Sequence, residues 1–415
     1  LGAAGSGRNP QADWPTTASK MYVLAVLIGH LLPETMDRKS GNVNPSLLID
    51  GRALLEPAGG GVFEYARRMT EALKASGRFD CRVWANAWHA EKPPFVDVLT
   101  RRPNKLLHAS MRFAGRPTVS AMAGMEPSAL WMPNAHFAPA EPGVPLVLTV
   151  HDLSYELYPE FFSIKQRLWH RAVDPRSLAR RASSVLAVSE TTKRDVIERW
   201  GIPPDRVTVT LEGVSSSDAP DRAALEGART RFRLPERFIL HVGALEPRKN
   251  HLGLLDAYHQ LRPLSRFNGL GLVLAGPPGW NNAAILRAIR QSPYRSDIRL
   301  LGYVSEPERA ALYRLASVFA FPSFYEGFGL PPLEAMAAGL PVVASHAGAL
   351  GEVVGDAGIL TDPYRPSELG DALAAVLDSP SLSDLYSERG RKRAARFDWA
   401  ACAKKTEDAI LRVLR

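Results

Sequence analysis

The stretch SFYEGFGLPPLEAMAAGLPVVAS, residues 323–345, decides the fold. Pro331 and Pro332 are excluded from a helix interior, but their fixed φ suits a first turn. The sequence therefore predicts a helix that starts there and runs through Leu333, Glu334, Ala335, Met336, Ala337 and Ala338. Gly339 and Pro341 stop it. LPVVAS after it and VFAFPS before it are short apolar runs that read as buried strands. The order strand, glycine loop, helix start, strand aims the backbone N–H groups of Gly327, Phe328, Gly329 and Leu330 and the positive end of a helix at one point, which suits a phosphate or another anion. Two carboxylates flank that point. Glu334, placed by this reading in the first helical turn, is either a partner of the helix dipole or a ligand contact. Glu326, an acid beside glycine at the carboxyl end of a strand, has no evident structural task. A carboxylate offers acceptors only, so a pair of them beside an anion site suits a ligand rich in hydroxyls, such as a nucleotide sugar.

Working outward, the same alternation fills the chain. FILHVGAL, LGLVLAGPPG, IRLLGYV and GILTDP join the two runs above as strands, with HLGLLDAYHQL and EPERAALYRLA as helices between. From residue 46, SLLIDGR, FDCRVWAN, LVLTVHDL, SSVLAVSE and VTVTLEGV form an earlier series of strands. GGGVFEYARRMTEALKASG, WHRAVDPRSLARRA and TTKRDVIERWG read as its helical segments. Alternating strands and helices imply parallel sheets covered on both faces, and 415 residues exceed one core. The fold class is α/β, with two Rossmann-like domains, 45–217 and 230–395, facing each other across a cleft. Segment 215–237, polar and proline-containing, reads as the linker. The last segment, FDWAACAKKTEDAILRVLR, is helical, with Trp399 as packing; the tryptophans of NADW and WMPN read the same way. Residues 1–44 are expected to be a disordered or non-native tail, with Met21 or Met36 as alternative starts. The apolar run MYVLAVLIGHLL within it is shorter than the roughly 18 to 20 residues of a membrane span, and no cleavage pattern follows it.

Lys and Arg number 51 against 43 Asp and Glu, a net charge of +8 that favours anionic partners. No Lys/Arg run with interleaved aromatics is present, which speaks against nucleic acid. The two cysteines, Cys81 and Cys402, support neither a disulfide framework nor a zinc site, and a reducing cytoplasm is expected.

Three further motifs carry polar groups to strand ends. VGALEPRKNHLGLLDAY, 242–258, puts Gly243, Arg248 and Lys249 between a strand and a helix. The two cations either form a solvated turn or neutralise a diphosphate leaving group. LVLTVHDLSYELYPEFF, 146–162, ends its strand on His151 and Asp152, of which Asp152 is a cap or a site residue. EPAGGGVFEYAR, 56–67, leads Gly59, Gly60 and Gly61 into a helix as a backbone nest, without the Lys-Ser/Thr of a P-loop or the spacing of a dinucleotide fingerprint. No D-x-D pair occurs, which speaks against a metal-bridged diphosphate.

FYEGFGLPPLEAMAAGLPVVAS, GALEPRKNHLGLLDAY, HDLSYELYPEFF and FDWAACAKKT together resemble glycosyltransferase family 4, retaining enzymes of the GT-B fold, over residues 46 to 415. The EPRKN and HDL forms resemble its mannosyltransferase branch in bacterial surface polysaccharide synthesis. The resemblance implies that Glu334 binds ribose hydroxyls and Glu326 donor-sugar hydroxyls. It further implies that Gly327 to Leu330 line the sugar diphosphate, that Arg248 and Lys249 hold the phosphates, that His151 reaches the sugar, and that the base lies near Gly302 and Tyr303. Gly243, Gly60 and Gly61 join the donor site, although GGGVFEY departs from relatives with Arg before the Tyr. Helix 396–415 is expected to cross back to the first domain. The implied activity is transfer of mannose from GDP-mannose to a glycan or lipid-linked acceptor, without metal or other cofactor. A nucleotide-sugar epimerase or phosphorylase of the same fold and a non-catalytic sugar-nucleotide binding protein are the alternatives. Peripheral contact with the inner face of an anionic membrane is expected through Arg67, Arg68, Arg101, Arg102, Lys105, Arg112 and Arg116.

Overall fold

The computed structural model describes residues 44–55, 60–88, 91–214 and 220–415. The expected tail, except Asn44, and the Gly59 call lie outside the described residues. The first sheet has seven strands: β1 (Ser46–Asp50), β2 (Asp80–Asn86), β3 (Val98–Thr100), β4 (Ala129–Met132), β5 (Leu146–Val150), β6 (Ser184–Ala187) and β7 (Val207–Val209). The second has six: β8 (Phe238–Val242), β9 (Gly271–Ala275), β10 (Ile298–Gly302), β11 (Val318–Phe321), β12 (Val342–Ser345) and β13 (Ile359–Thr361). Every pairing is parallel, in the orders β3-β2-β1-β4-β5-β6-β7 and β10-β9-β8-β11-β12-β13. Helices cover both faces, so the inner strands β4, β6, β8, β9, β11 and β12 are buried throughout and read in sequence as continuous apolar runs. Each order reverses once, at β1/β4 and at β8/β11. Ligands of such sheets bind outside the carboxyl ends of the strands at that reversal.

Several expectations change. β3 and β4, of three and four residues, are too short to show a period, and the first series missed both. Trp131, read as packing, is buried in the middle of β4 and donates its indole N–H to Thr149 Oγ1 at 3.2 Å. The segment WHRAVDPRSLARRA is broken at Asp174, whose φ of 54° ends the Ile164–Val173 helix and whose side chain caps Pro175–Arg181. The supposed linker contains a helix, Arg222–Phe232, capped by Asp221 accepting from Ala224 N at 2.8 Å. It packs on helix Glu306–Leu315 while burying only Ala228 fully, so its sequence lacks a clear apolar stripe. The final helix, Trp399–Val413, packs on helix Gly61–Ala75 and on β4, β6 and β7 of the first sheet.

Candidate active site

The loops after β8 and β11 meet because those strands are neighbours in the second sheet. After β8, Pro247–Lys249 makes one tight turn, and Asn250, at φ 56°, caps helix His251–Leu261 by accepting from Gly253 N at 3.2 Å. This turn sends Arg248 and Lys249 toward Glu326. Arg248 Nη1 lies 2.9 Å from Glu326 Oε2, Nη2 lies 2.7 Å from Glu246 Oε1, and Nη1 also donates to Tyr325 O at 2.8 Å. Lys249 Nζ lies 2.6 Å from Glu326 Oε1. All four charged side chains are largely buried. Burial alone would raise the Glu326 pKa, but Arg248 and Lys249 overturn it and hold the carboxyl at about 2. Glu246, also buried, is pushed up despite Arg248. Glu326 thus has the structural task that the sequence concealed, as counter-charge to both cations.

Beyond Glu326, Gly327 presses on the first domain. A Cβ at Gly327 would overlap the His151 carbonyl oxygen, so glycine is required for the close approach. The Thr192 hydroxyl lies 3.2 Å from both the His151 and the Gly327 carbonyl oxygens. Gly329, at φ 117°, opens helix Leu330–Ala337 one residue earlier than the prolines suggested. Glu334 consequently falls in the second turn, not the first, which removes the dipole reading. Its carboxylate is held from helix Glu306–Leu315: Tyr313 donates its hydroxyl to Oε2 at 2.9 Å, and Arg309 Nη2 lies 3.1 Å from Oε1. Burial raises the Glu334 pKa in spite of Arg309. Arg309 and Tyr313 were missed, although their i,i+4 spacing in EPERAALYRLA marks one helix face.

In the first domain, His151 follows β5 directly. Its Nε2 lies 2.9 Å from Pro133 O and its Nδ1 3.4 Å from Glu212 Oε1, while its ring stands edge-on to Tyr65 with centroids 5.0 Å apart. Burial would lower the His151 pKa, but the Glu212 carboxylate outweighs it and the net direction is upward. Both ring nitrogens are therefore held by protein groups rather than aimed into the cleft. Glu212 is buried, and the sequence reading missed it; an acid inside the apolar run VTVTLEGV was the available signal.

With Glu212→Gln, burial remains as the main influence on the imidazole. His151 is expected to titrate above the ordinary value of about 6.5 in the wild type and below it in the variant, which NMR of the ring can follow. A raised histidine pKa contributes stability that is present in full below the unfolded value and lost as pH rises through the folded one. Unchanged titration in the variant would remove Glu212 as the cause.

His151, Glu212, Glu246, Arg248, Lys249, Arg309, Glu326 and Glu334 line one cleft of about 710 Å³. Gly60, Gly61 and His151 enter from the first domain, with Glu212 beside them; Gly243, Arg248, Lys249, Tyr303, Glu326, Gly327, Phe328, Gly329, Leu330 and Glu334 enter from the second. Of the described residues singled out in the sequence for the site, Gly302, expected beside the base, is not among those that line this cleft, whereas its neighbour Tyr303 is.

Two family models divide the chain at the boundary between the sheets. One, described as Glycosyltransferase Family 4, matches residues 59–218, and the other, Glycosyl transferases group 1, matches 226–393. An O-antigen chain mannosyltransferase B of Escherichia coli is 35% identical over 266 residues, which are 63% of this chain and 69% of that protein. The chain belongs to glycosyltransferase family 4. It is a glycosyltransferase, and a serotype-specific mannosyltransferase WbdA of the same organism is 32% identical over 57% of this chain, an alignment that spans only 29% of that longer protein. Among solved structures, a sucrose-phosphate synthase of Thermosynechococcus elongatus superposes with a TM-score of 0.69 at 22% identity, covering 89% of this chain and 99% of that one. This likeness shows the GT-B fold of the family member. The first match contains His151 and Glu212, and the second contains the whole Arg248–Glu334 constellation.

Proposed function

We propose that this glycosyltransferase moves mannose from GDP-mannose, with retention and without a metal, to a glycan or lipid-linked acceptor in surface polysaccharide synthesis. The observation that carries the reading is Glu326 held between Arg248 and Lys249 where the two domains meet, with Glu334 farther along the same cleft. The mannosyltransferase names of its relatives support the choice of sugar.

In this reading Glu334 accepts from the ribose hydroxyls and Glu326 from the hexose hydroxyls. The diphosphate lies against the N–H groups of Gly327 to Leu330 and competes with Glu326 and Glu246 for Arg248 and Lys249. The bond between the anomeric carbon and the diphosphate oxygen breaks, and its electron pair leaves with that oxygen. The cations and the helix start at Leu330 stabilise the growing charge. The acceptor hydroxyl then bonds to the anomeric carbon on the same face, and its proton passes to the departing phosphate oxygen. His151, its pKa raised by Glu212, stands on the first-domain side of the cleft.

Thermal-shift measurement with GDP, UDP, ADP and dTDP, followed by transfer from the matching mannose donor, tests this. GDP is expected to raise Tm most, since a ligand at a hundred times its Kd adds about 2.7 kcal/mol. The product should keep the donor's anomeric configuration, and activity should survive excess EDTA. An inverted product, or EDTA inactivation reversed by Mg²⁺ or Mn²⁺, overturns the mechanism; a larger shift with another base overturns the donor.

A further inference from the structure

Two buried histidines lie beside Lys249, and the reaction as described uses neither. His241 belongs to β8, and His251 opens the helix that follows Lys249. Their rings meet edge to face with centroids 4.6 Å apart. His241 Nδ1 lies 3.0 Å from Ala320 O on the neighbouring strand β11. A carbonyl oxygen only accepts, so Nδ1 carries the proton and Nε2 of the neutral ring is a bare acceptor. That nitrogen is buried and has no hydrogen-bond partner among the described residues. An unpaired polar atom at such depth costs stability and calls for a reason. Burial pushes the His241 pKa down to about 4 and Lys249 adds to the effect, against the Ala320 carbonyl and Glu326, so the ring is neutral near pH 7.

The bare nitrogen faces Lys249. A Cβ at Gly243 would stand 3.2 Å from His241 Nε2 and 3.6 Å from Lys249 Cε, so the imidazole and the lysine stem flank a residue that has no side chain to separate them. Phe321 is common to both: its ring stacks on His241 with centroids 5.4 Å apart, and Lys249 Nζ lies 4.9 Å from its centroid. In the structure Nζ is bonded to Glu326 at 2.6 Å. In the transfer proposed above, Glu326 turns to the sugar hydroxyls. A buried ammonium with three N–H groups then needs another acceptor.

We propose that His241 is a positioning residue for Lys249: when Glu326 engages the donor sugar, the ammonium donates one N–H to His241 Nε2 and another to the diphosphate. The proton stays on the lysine, and only the acceptor of the hydrogen bond changes. Ala320 O fixes the tautomer of the imidazole, while Phe321 and His251 fix its plane. The proposal rests on the reading of Glu326 as a contact of the sugar.

Asparagine and glutamine separate the two bonds of the ring, because their amides reach the Nδ1 and the Nε2 positions respectively. His241→Asn can keep the bond to Ala320 O with nothing at the ε position, whereas His241→Gln can present an oxygen there. Steady-state kinetics and GDP affinity of both variants, alone and combined with Lys249→Ala, test the proposal. His241→Asn should lower kcat about tenfold or more, the scale of one hydrogen bond to a charged group, with donor KM and GDP affinity within about twofold of wild type. His241→Gln should recover most of kcat. In the Lys249→Ala background His241→Asn should have no further effect, since two groups acting through one interaction are not additive. Unchanged kcat in His241→Asn, a glutamine no better than asparagine, or equal effects with and without Lys249 would make His241 a packing residue and overturn the proposal alone. Equal loss of turnover and GDP affinity in Glu326→Gln would instead refute the sugar contact beneath it. The wild type supplies a check that needs no variant to fold: in ¹⁵N NMR of the imidazoles, His241 Nε2 should move upfield when GDP-mannose binds, and an unmoved resonance overturns the proposal.

Discussion

Glu326→Gln is expected to slow sugar transfer about a hundredfold or more, the usual consequence of a misplaced reacting group, while nucleoside-diphosphate affinity stays level or rises. The carboxylate in the structure neutralises Arg248 and Lys249. Its loss should therefore release both cations to a diphosphate while removing the acceptor proposed for the sugar hydroxyls. It should also leave two buried cations short of counter-charge, a defect that typically costs about 3–5 kcal/mol. The variant should accordingly melt lower and regain more stability from GDP than the wild type does. Because folding lowers the Glu326 pKa from 4.5 to about 2, its contribution to stability is complete above 4.5 and fades as pH falls toward 2. The difference in Tm between wild type and variant should narrow over that interval. Parallel measurement of turnover, GDP affinity and Tm decides the matter; an equal loss of turnover and GDP affinity would assign Glu326 to the nucleotide instead.

Arg248→Ala should lower kcat by about a hundredfold to a thousandfold, the range seen when one stabilising contact to a developing oxyanion is removed. The guanidinium holds Glu326, Glu246 and the Tyr325 carbonyl oxygen together, so the variant should lose stability as well. Lys249→Ala, which removes only one of the two partners of Glu326, should slow transfer with a smaller loss of Tm. Steady-state kinetics separate the roles: a rise in KM with kcat unchanged would make these cations uniform binders of the donor.

The sequence by itself determined the two α/β sheets and the strand-end loops that supply the cleft. Proline, glycine and apolar runs act through φ, ψ and burial within a few residues of themselves, so PPLEAM, VVAS and FILHV announce their own conformations. The short strands β3 and β4 and the capped helix at Asp221 escaped because three or four residues, or a helix with one buried alanine, carry too little pattern. What only the tertiary structure decided is which charges face one another. Glu326 and Lys249, 77 residues apart, are bonded because β8 and β11 lie side by side after the strand order reverses. His151 and Glu212 pair across the ends of β5 and β7, Glu334 is held by a neighbouring helix, and Arg67 and Arg68, read from the sequence as part of a membrane-facing set of cations, are bound to Glu64. A carboxylate has no backbone preference that names its partner. Its bonds depend on crossover order and on the depth at which it is buried, and both are fixed only when the whole chain has packed.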